Sequence, residues 1–162
     1  MKMIVCVARD FGIGNEGRLL FSLPPDMKLF RETTSGKVVI MGRSTLDSFP
    51  GGKPLKNRVN IVLSRSDGFF REGAVVLKSP EEVLKYVQCF NPDDVFVIGG
   101  AQIYSMFAPY CTEAIVTKVN DVRPADSFFF DIDAAPEWRL ENESEPMEYN
   151  GLHFTFCRYM KV

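Results

Sequence analysis

Leu23-Pro24-Pro25-Asp26-Met27-Lys28-Leu29-Phe30-Arg31-Glu32 reads as the opening of a helix. Proline is tolerated in a first helical turn, where its missing N–H costs no hydrogen bond. An acid just behind it suits the positive end of the helix dipole. At about 100° per residue, Met27, Leu29 and Phe30 define a broad apolar face, and Lys28, Arg31 and Glu32 gather opposite. Asp26 falls with the apolar set. A carboxylate there is costly unless something binds it. It is either paired inside the protein or waiting for a polar ligand in an apolar pocket; a plain helix-dipole acid is the structural alternative.

The rest of the chain narrows these options. With 162 residues, one domain over residues 1–162 is expected, large enough to bury a substantial core. A net charge of −2 lends no support to a nucleic-acid or anionic-membrane surface. No apolar run approaches membrane-spanning length, and the amino end meets charge too soon for a signal peptide. Cys6, Cys89, Cys111 and Cys157 are scattered without paired spacing and read as reduced residues of a cytoplasmic protein. The only histidine, His153, sits in the alternating stretch Leu152-His153-Phe154-Thr155-Phe156. Histidine-based hydrolysis and multi-histidine metal chemistry would both need it, so neither is expected, and no metal site is predicted.

In chain order, Met3 to Ala8 is a short buried strand, followed by Gly12-Ile13-Gly14-Asn15-Glu16-Gly17. That spacing matches the G-x-G-x-x-G dinucleotide fingerprint, which should open a helix at once. Here Pro24 and Pro25 delay the helix, so a glycine-hinged loop that closes over a site fits better. Lys37-Val38-Val39-Ile40-Met41 is a continuous apolar run of the kind central parallel strands show, and Asn57 to Leu63, Ala74 to Leu77 and the apolar Val95-Phe96-Val97-Ile98 read as further strands. Short helices are predicted after Gly42, from Ser79-Pro80, and from Ala101 to Phe107. Ala114 to Lys118 is a further strand, and the tail reads as an antiparallel pair. The whole predicts an α/β fold. Its central twisted sheet is mostly parallel, with about eight strands, antiparallel strands at the carboxyl end and about four flanking helices.

Four strands end in small, hydroxyl-bearing or cationic residues: Gly42-Arg43-Ser44-Thr45, Ser64-Arg65, Lys78-Ser79 and Gly99-Gly100. The carboxyl ends of parallel strands form the ligand crevice of an open α/β sheet. Backbone N–H groups at helices starting near Ser44 and Ala101 would suit phosphate oxygens. Arg43 and Arg65 add more positive charge than a pyrophosphate needs, which favours NADPH over NADH.

These blocks also carry a family resemblance. Val5-Cys6-Val7-Ala8 with Ile13-Gly14, Leu23 to Phe30, Val39 to Thr45, Pro54-Leu55 with Arg58 to Ser64, and Val97 to Tyr104 resemble the dihydrofolate reductases in order and spacing over essentially the whole chain. The resemblance implies NADPH-dependent hydride transfer to 7,8-dihydrofolate, with folates and antifolate inhibitors as ligands and a monomer as the expected state. By position, Asp26 is similar to the acid that binds the pterin 2-amino group and N3, supported by Thr117. Ile4, Val5, Met27, Phe30, Phe49 and Leu55 would wall the pterin and benzoyl rings, and Arg58 would pair with the glutamate α-carboxylate. Cys6, Ile13 and Gly14 would face the nicotinamide. Arg43, Ser64 and Arg65 would take the 2′-phosphate side. The remaining cofactor contacts implied are Gly42, Ser44 and Thr45, then Leu63 and Lys78, then Gly99 to Ile103, with Ile98 and Tyr104 between the two ligands. Gly99-Gly100 would be the family's cis peptide.

One departure bears on catalysis. Phe21 stands where the family commonly has tryptophan, whose indole N–H helps hold a water near the acid. Phenylalanine cannot donate, so antifolate affinity is expected to change more than hydride transfer. Leu20, where proline is frequent, is a milder departure. Two other readings compete: a pyrimidine reductase of riboflavin synthesis, which should lack the Pro-Pro-Asp helix and Arg58, and a non-catalytic NADPH-binding module.

Overall fold

A computed structural model describes residues 1–162. Its first half contains β1 (Lys2–Val7), β2 (Gly12–Asn15), β3 (Arg18–Leu19), α1 (Pro24–Thr34), β4 (Val38–Gly42), α2 (Arg43–Ser48), β5 (Val59–Leu63), β6 (Ala74–Leu77) and α3 (Pro80–Tyr86). The second half contains β7 (Val95–Gly99), α4 (Ala101–Phe107), β8 (Glu113–Val119), β9 (Ser127–Phe128), β10 (Trp138–Glu143), β11 (Met147–Tyr149) and β12 (Leu152–Lys161).

The main sheet runs β10-β12-β8-β1-β7-β4-β5-β6, with β11 added on β12. From β8 to β6 all neighbours are parallel, and every pairing made by β12 is antiparallel. The apolar runs explain this centre. Val39, Ile40, Met41, Ile61, Val62 and Val97 are all fully buried, so β4, β5 and β7 are covered on both faces, as strands crossed over by helices must be. α3 starts as predicted, with the Ser79 hydroxyl accepting the Glu82 backbone N–H at 3.1 Å.

The structure departs from the sequence reading at two places. The expected glycine-hinged loop holds two short strands. β2 pairs with β3 (Gly14 with Leu19, Asn15 with Arg18) and with β9, which satisfies backbone groups that an open loop would leave to water. The strand expected from Asn57 begins at Val59, because Asn57 has a φ of 58° and belongs to the turn before it.

The apolar face of α1 does not pack into the sheet. Thr34 is its only buried residue, and Met27 is 55% exposed. The buried Leu23, one residue ahead, anchors the entry to the helix. α1 therefore forms the wall of a cleft rather than a layer of the core.

Candidate active site

β1 and β8 are parallel neighbours, and their register sets Cys6 opposite Thr117. Asp26, in the first turn of α1, comes down onto this pair. The Thr117 hydroxyl donates to Asp26 Oδ1 at 2.6 Å, and the Cys6 thiol lies close enough to act on its charge. Burial pushes the Asp26 carboxyl above the usual carboxylate range, while Thr117 and Cys6 pull it partly back. No cation forms an ion pair with it. The carboxylate is thus part-buried, hydrogen-bonded to a hydroxyl and without an ion-pair partner.

Close by, the buried Tyr104 hydroxyl donates to the Ile4 carbonyl at 2.7 Å and fixes α4 against β1. Val5, Ile13, Leu63, Ile103 and Tyr104 share the main core, and Phe21 belongs with Ala8 and Leu23 to a smaller cluster that Cys6 packs against. Phe49, Leu55 and Ile98 pack against a third cluster, around Met41 and Leu46. Phe21 is buried and offers no donor; the Arg123 guanidinium lies 4.6 Å from its ring centre and donates to the Leu20 carbonyl at 2.7 Å.

Further along the cleft, Arg58 sits 5.8 Å from the Phe30 ring centre. Its Nε is the only buried side-chain nitrogen or oxygen in the chain without a hydrogen-bond partner. Burial lowers the pKa of its guanidinium, and the neighbouring charge of Arg31 lowers it further. Buried donors are almost always satisfied, so an orphan beside a second cation points to an anionic partner from outside.

The strand ends come together as expected. Register pairs Met41 with Gly99, Gly42 with Leu63, and Leu63 with Leu77. Gly99, Gly42, Ser64 and Lys78 therefore follow one another along a single sheet edge. Arg43, Ser44, Arg65 and Gln102 are exposed on that edge, while Ser64 is buried. The Gly99–Gly100 peptide is cis. A Cβ at Gly99 would stand 3.2 Å from Thr45 Oγ1, on a backbone with φ of 133°, so the surface there is bare main chain. Lys78 is committed elsewhere: its Nζ pairs with Asp67 at 2.6 Å. Met27 and Gly14 lie at the margin, Met27 through its exposure and Gly14 through its place in β2.

A family model described as dihydrofolate reductase matches residues 1–161. The chain belongs to the dihydrofolate reductase family. It is 35% identical over 161 residues to a dihydrofolate reductase of Neisseria gonorrhoeae, covering 99% of this chain and 97% of that one. It is 35% identical over 151 residues to a dihydrofolate reductase of Bacillus subtilis, covering 92% and 87% of the two chains. Among solved structures, a dihydrofolate reductase of Enterococcus faecalis complexed with NADP(H) and RAB-propyl superimposes with a TM-score of 0.89 at 29% identity. That match covers 99% of this chain and 95% of the other.

Within this dihydrofolate reductase fold, three supporting residues escaped the sequence reading. Asn60 is 2% exposed; its Nδ2 donates to the Leu55 carbonyl at 2.9 Å, and its Oδ1 accepts the Leu55 N–H at 3.0 Å. An amide inside the apolar run of β5 was a readable signal for it. Arg71 and Arg123 sit in loops without periodicity, and only the folded chain shows what they touch.

Proposed function

We propose that the protein reduces 7,8-dihydrofolate to 5,6,7,8-tetrahydrofolate with NADPH, and that Asp26 is the residue that binds and polarises the pterin. The observation that supports this most is a carboxylate in an apolar cleft whose side-chain neighbours are a hydroxyl and a thiol, with no cation. Such a group suits a ligand with adjacent ring N–H and amino donors, which the pterin has at N3 and its 2-amino group. The strand ends from Gly99 to Ser64 would hold NADPH, whose nicotinamide would supply the hydride for pterin C6.

The residues then divide the remaining work. Asp26 holds the pterin, and its negative charge raises the basicity of N5. N5 takes its proton from water, since Asp26 serves the opposite side of the ring. Thr117 keeps the carboxylate in place. Ile4, Val5, Phe30, Phe49 and Leu55 wall the rings, with Met27 at the rim. Arg58 takes the carboxylate of the glutamate end, to which its unpartnered Nε is suited. Arg43, Ser64 and Arg65 take the 2′-phosphate. The β2–β3 hairpin, held by Asp126 through the Gly14 carbonyl and the Glu16 N–H, excludes water from the reacting atoms. Four unpaired cysteines support a reducing compartment, the cytoplasm, for a single domain acting as a monomer.

Loss of the NADPH absorbance band that depends on added dihydrofolate tests the reaction. Asp26→Asn is expected to lower kcat about a hundredfold or more at neutral pH while leaving NADPH affinity within about twofold. Losing the charge lowers the basicity of N5, so the limb on which turnover falls with rising pH moves to lower pH, and the deficit shrinks on acidification. Unchanged turnover in Asp26→Asn would refute the role given to this residue.

A further inference from the structure

Arg71, in the loop between β5 and β6, reaches across to α2 and to the turn after it. Its Nη2 pairs with Asp47 Oδ1 at 3.0 Å, its Nη1 donates to the Gly52 carbonyl, and its guanidinium lies 5.4 Å from the Phe69 ring centre. The place is shaped for it: Gly52 has a φ of 62°, and a Cβ there would come within 2.7 Å of Arg71 Nη1. Arg43, one turn before Asp47 on α2, lies 4.2 Å from the same Phe69 ring. Its Nε is 3.7 Å from Asp47 Oδ2, an ion pair too long to be a hydrogen bond. One carboxylate therefore stands between two guanidinium groups and is hydrogen-bonded to only one of them.

The consequence lies in the donors. Asp47 and Arg43 are four residues apart on one helix and already form an ion pair. Were they hydrogen-bonded as well, Arg43 donors would be occupied. Arg71 takes the carboxylate's hydrogen bond instead.

We propose that Arg71 is a specificity-determining positioning residue, which keeps Asp47 from hydrogen-bonding Arg43 and so leaves the Arg43 donors for the extra phosphate that distinguishes NADPH from NADH. This rests on the reading of Arg43 as a 2′-phosphate ligand. Arg71 touches neither cofactor nor substrate and acts only through Asp47.

The test is a set of variants assayed with NADPH and with NADH at saturating dihydrofolate. Arg71→Met is expected to raise KM for NADPH about three- to fivefold, with kcat and the NADH constants within twofold of the parent, the size of effect an exposed ion pair supports. Adding Asp47→Asn to Arg71→Met should return KM for NADPH to within twofold of the parent, because the competing carboxylate is gone. A loop that merely lost its anchor would not be repaired by deleting the anchor's other half. Arg71→Lys, which keeps the charge, should fall between.

Equal rises in KM for both cofactors, or no recovery in the double variant, would overturn the proposal. Asp47→Asn alone gives a check that does not need Arg71 to be removed. KM for NADPH should stay level or fall, and a severalfold rise would also overturn it. Arg43→Met separates the two layers. If it leaves the NADPH-to-NADH preference unchanged, the phosphate reading itself fails. If it lowers that preference while Arg71→Met does not, only the role of Arg71 fails.

Discussion

Asp26 shows how a site residue can work against its own fold. Its carboxyl is raised by burial, so the folded chain binds the proton more tightly than the unfolded chain does. The stabilisation linked to that protonation is fully present below the unfolded pKa, about 3.9, and is lost as pH rises through the higher folded value. At neutral pH the ionised group is a net cost to the ligand-free protein. Asp26→Asn is therefore expected to melt about 2–4 °C higher than the parent at pH 7, with a smaller gain near pH 4, in calorimetry without ligand. Equal melting temperatures at pH 7 would mean that Thr117 and Cys6 fully offset the desolvation.

Among the elements, β5 and the turn before it place the far end of the cleft. Asn60 ties the Leu55 backbone to β5 through both atoms of its amide, and it accepts no substitute of the same shape that is apolar. Asn60→Ala is expected to cost about 1–3 kcal/mol in denaturant unfolding, since three backbone groups, the Leu55 N–H and carbonyl and the Arg58 carbonyl, lose their partner. The same change should raise KM for dihydrofolate about fivefold or more through Leu55 and Arg58, with a smaller rise in KM for NADPH, because Asn60 holds the turn before β5 while Ser64 and Arg65 lie at the opposite end of that strand. A parallel rise in both constants would mean that Asn60 supports the whole sheet and not this turn.

At the scale of the molecule, the sheet is closed by charge as well as by apolar packing. Glu113, at the start of β8, is 6% exposed; Arg158 on β12 donates to it at 2.8 Å, and Lys2 on β1 stands 3.7 Å away. One carboxylate thus links three neighbouring strands. Burial pushes its pKa up, but the Arg158 hydrogen bond and the two positive charges outweigh burial and hold it below the usual range. A depressed folded pKa contributes stability above the unfolded value, near 4.3, and loses it as pH falls through the folded value. Glu113→Gln is expected to cost about 1–2 kcal/mol at pH 7, narrowing below about pH 4, as read by urea unfolding at the two pH values.

Much of this arrangement was legible before folding. Val38 to Met41 and Val95 to Ile98 are apolar on every residue because both faces of those strands are covered, and such runs need no knowledge of partners. The alignment of strand ends was legible too, since Gly42 and Gly99 close a recognisable strand and Ser64 and Lys78 each follow one. Helical spacing put Asp26 on an apolar face, but it could not show that this face stays open. Met27, Leu29 and Phe30 carry the pattern of a packed helix, and only the position of α1 outside the core separates a cleft wall from an interior layer. Arg71 was out of reach, because its partners Asp47 and Gly52 are set by a loop that no periodicity describes.

That open helix has a dynamic consequence. With one buried residue and no side-chain cap at its start, α1 is held mainly by Leu23 and by the Asp26–Thr117 bond. In deuterium-uptake mass spectrometry its amides should exchange well before those of β4 and β7, and a bound folate analogue should slow them more than NADPH alone. The segment that grips the pterin would then be the one that breathes most without it, so slow ligands would gain residence time by quieting a fluctuation as well as by adding contacts.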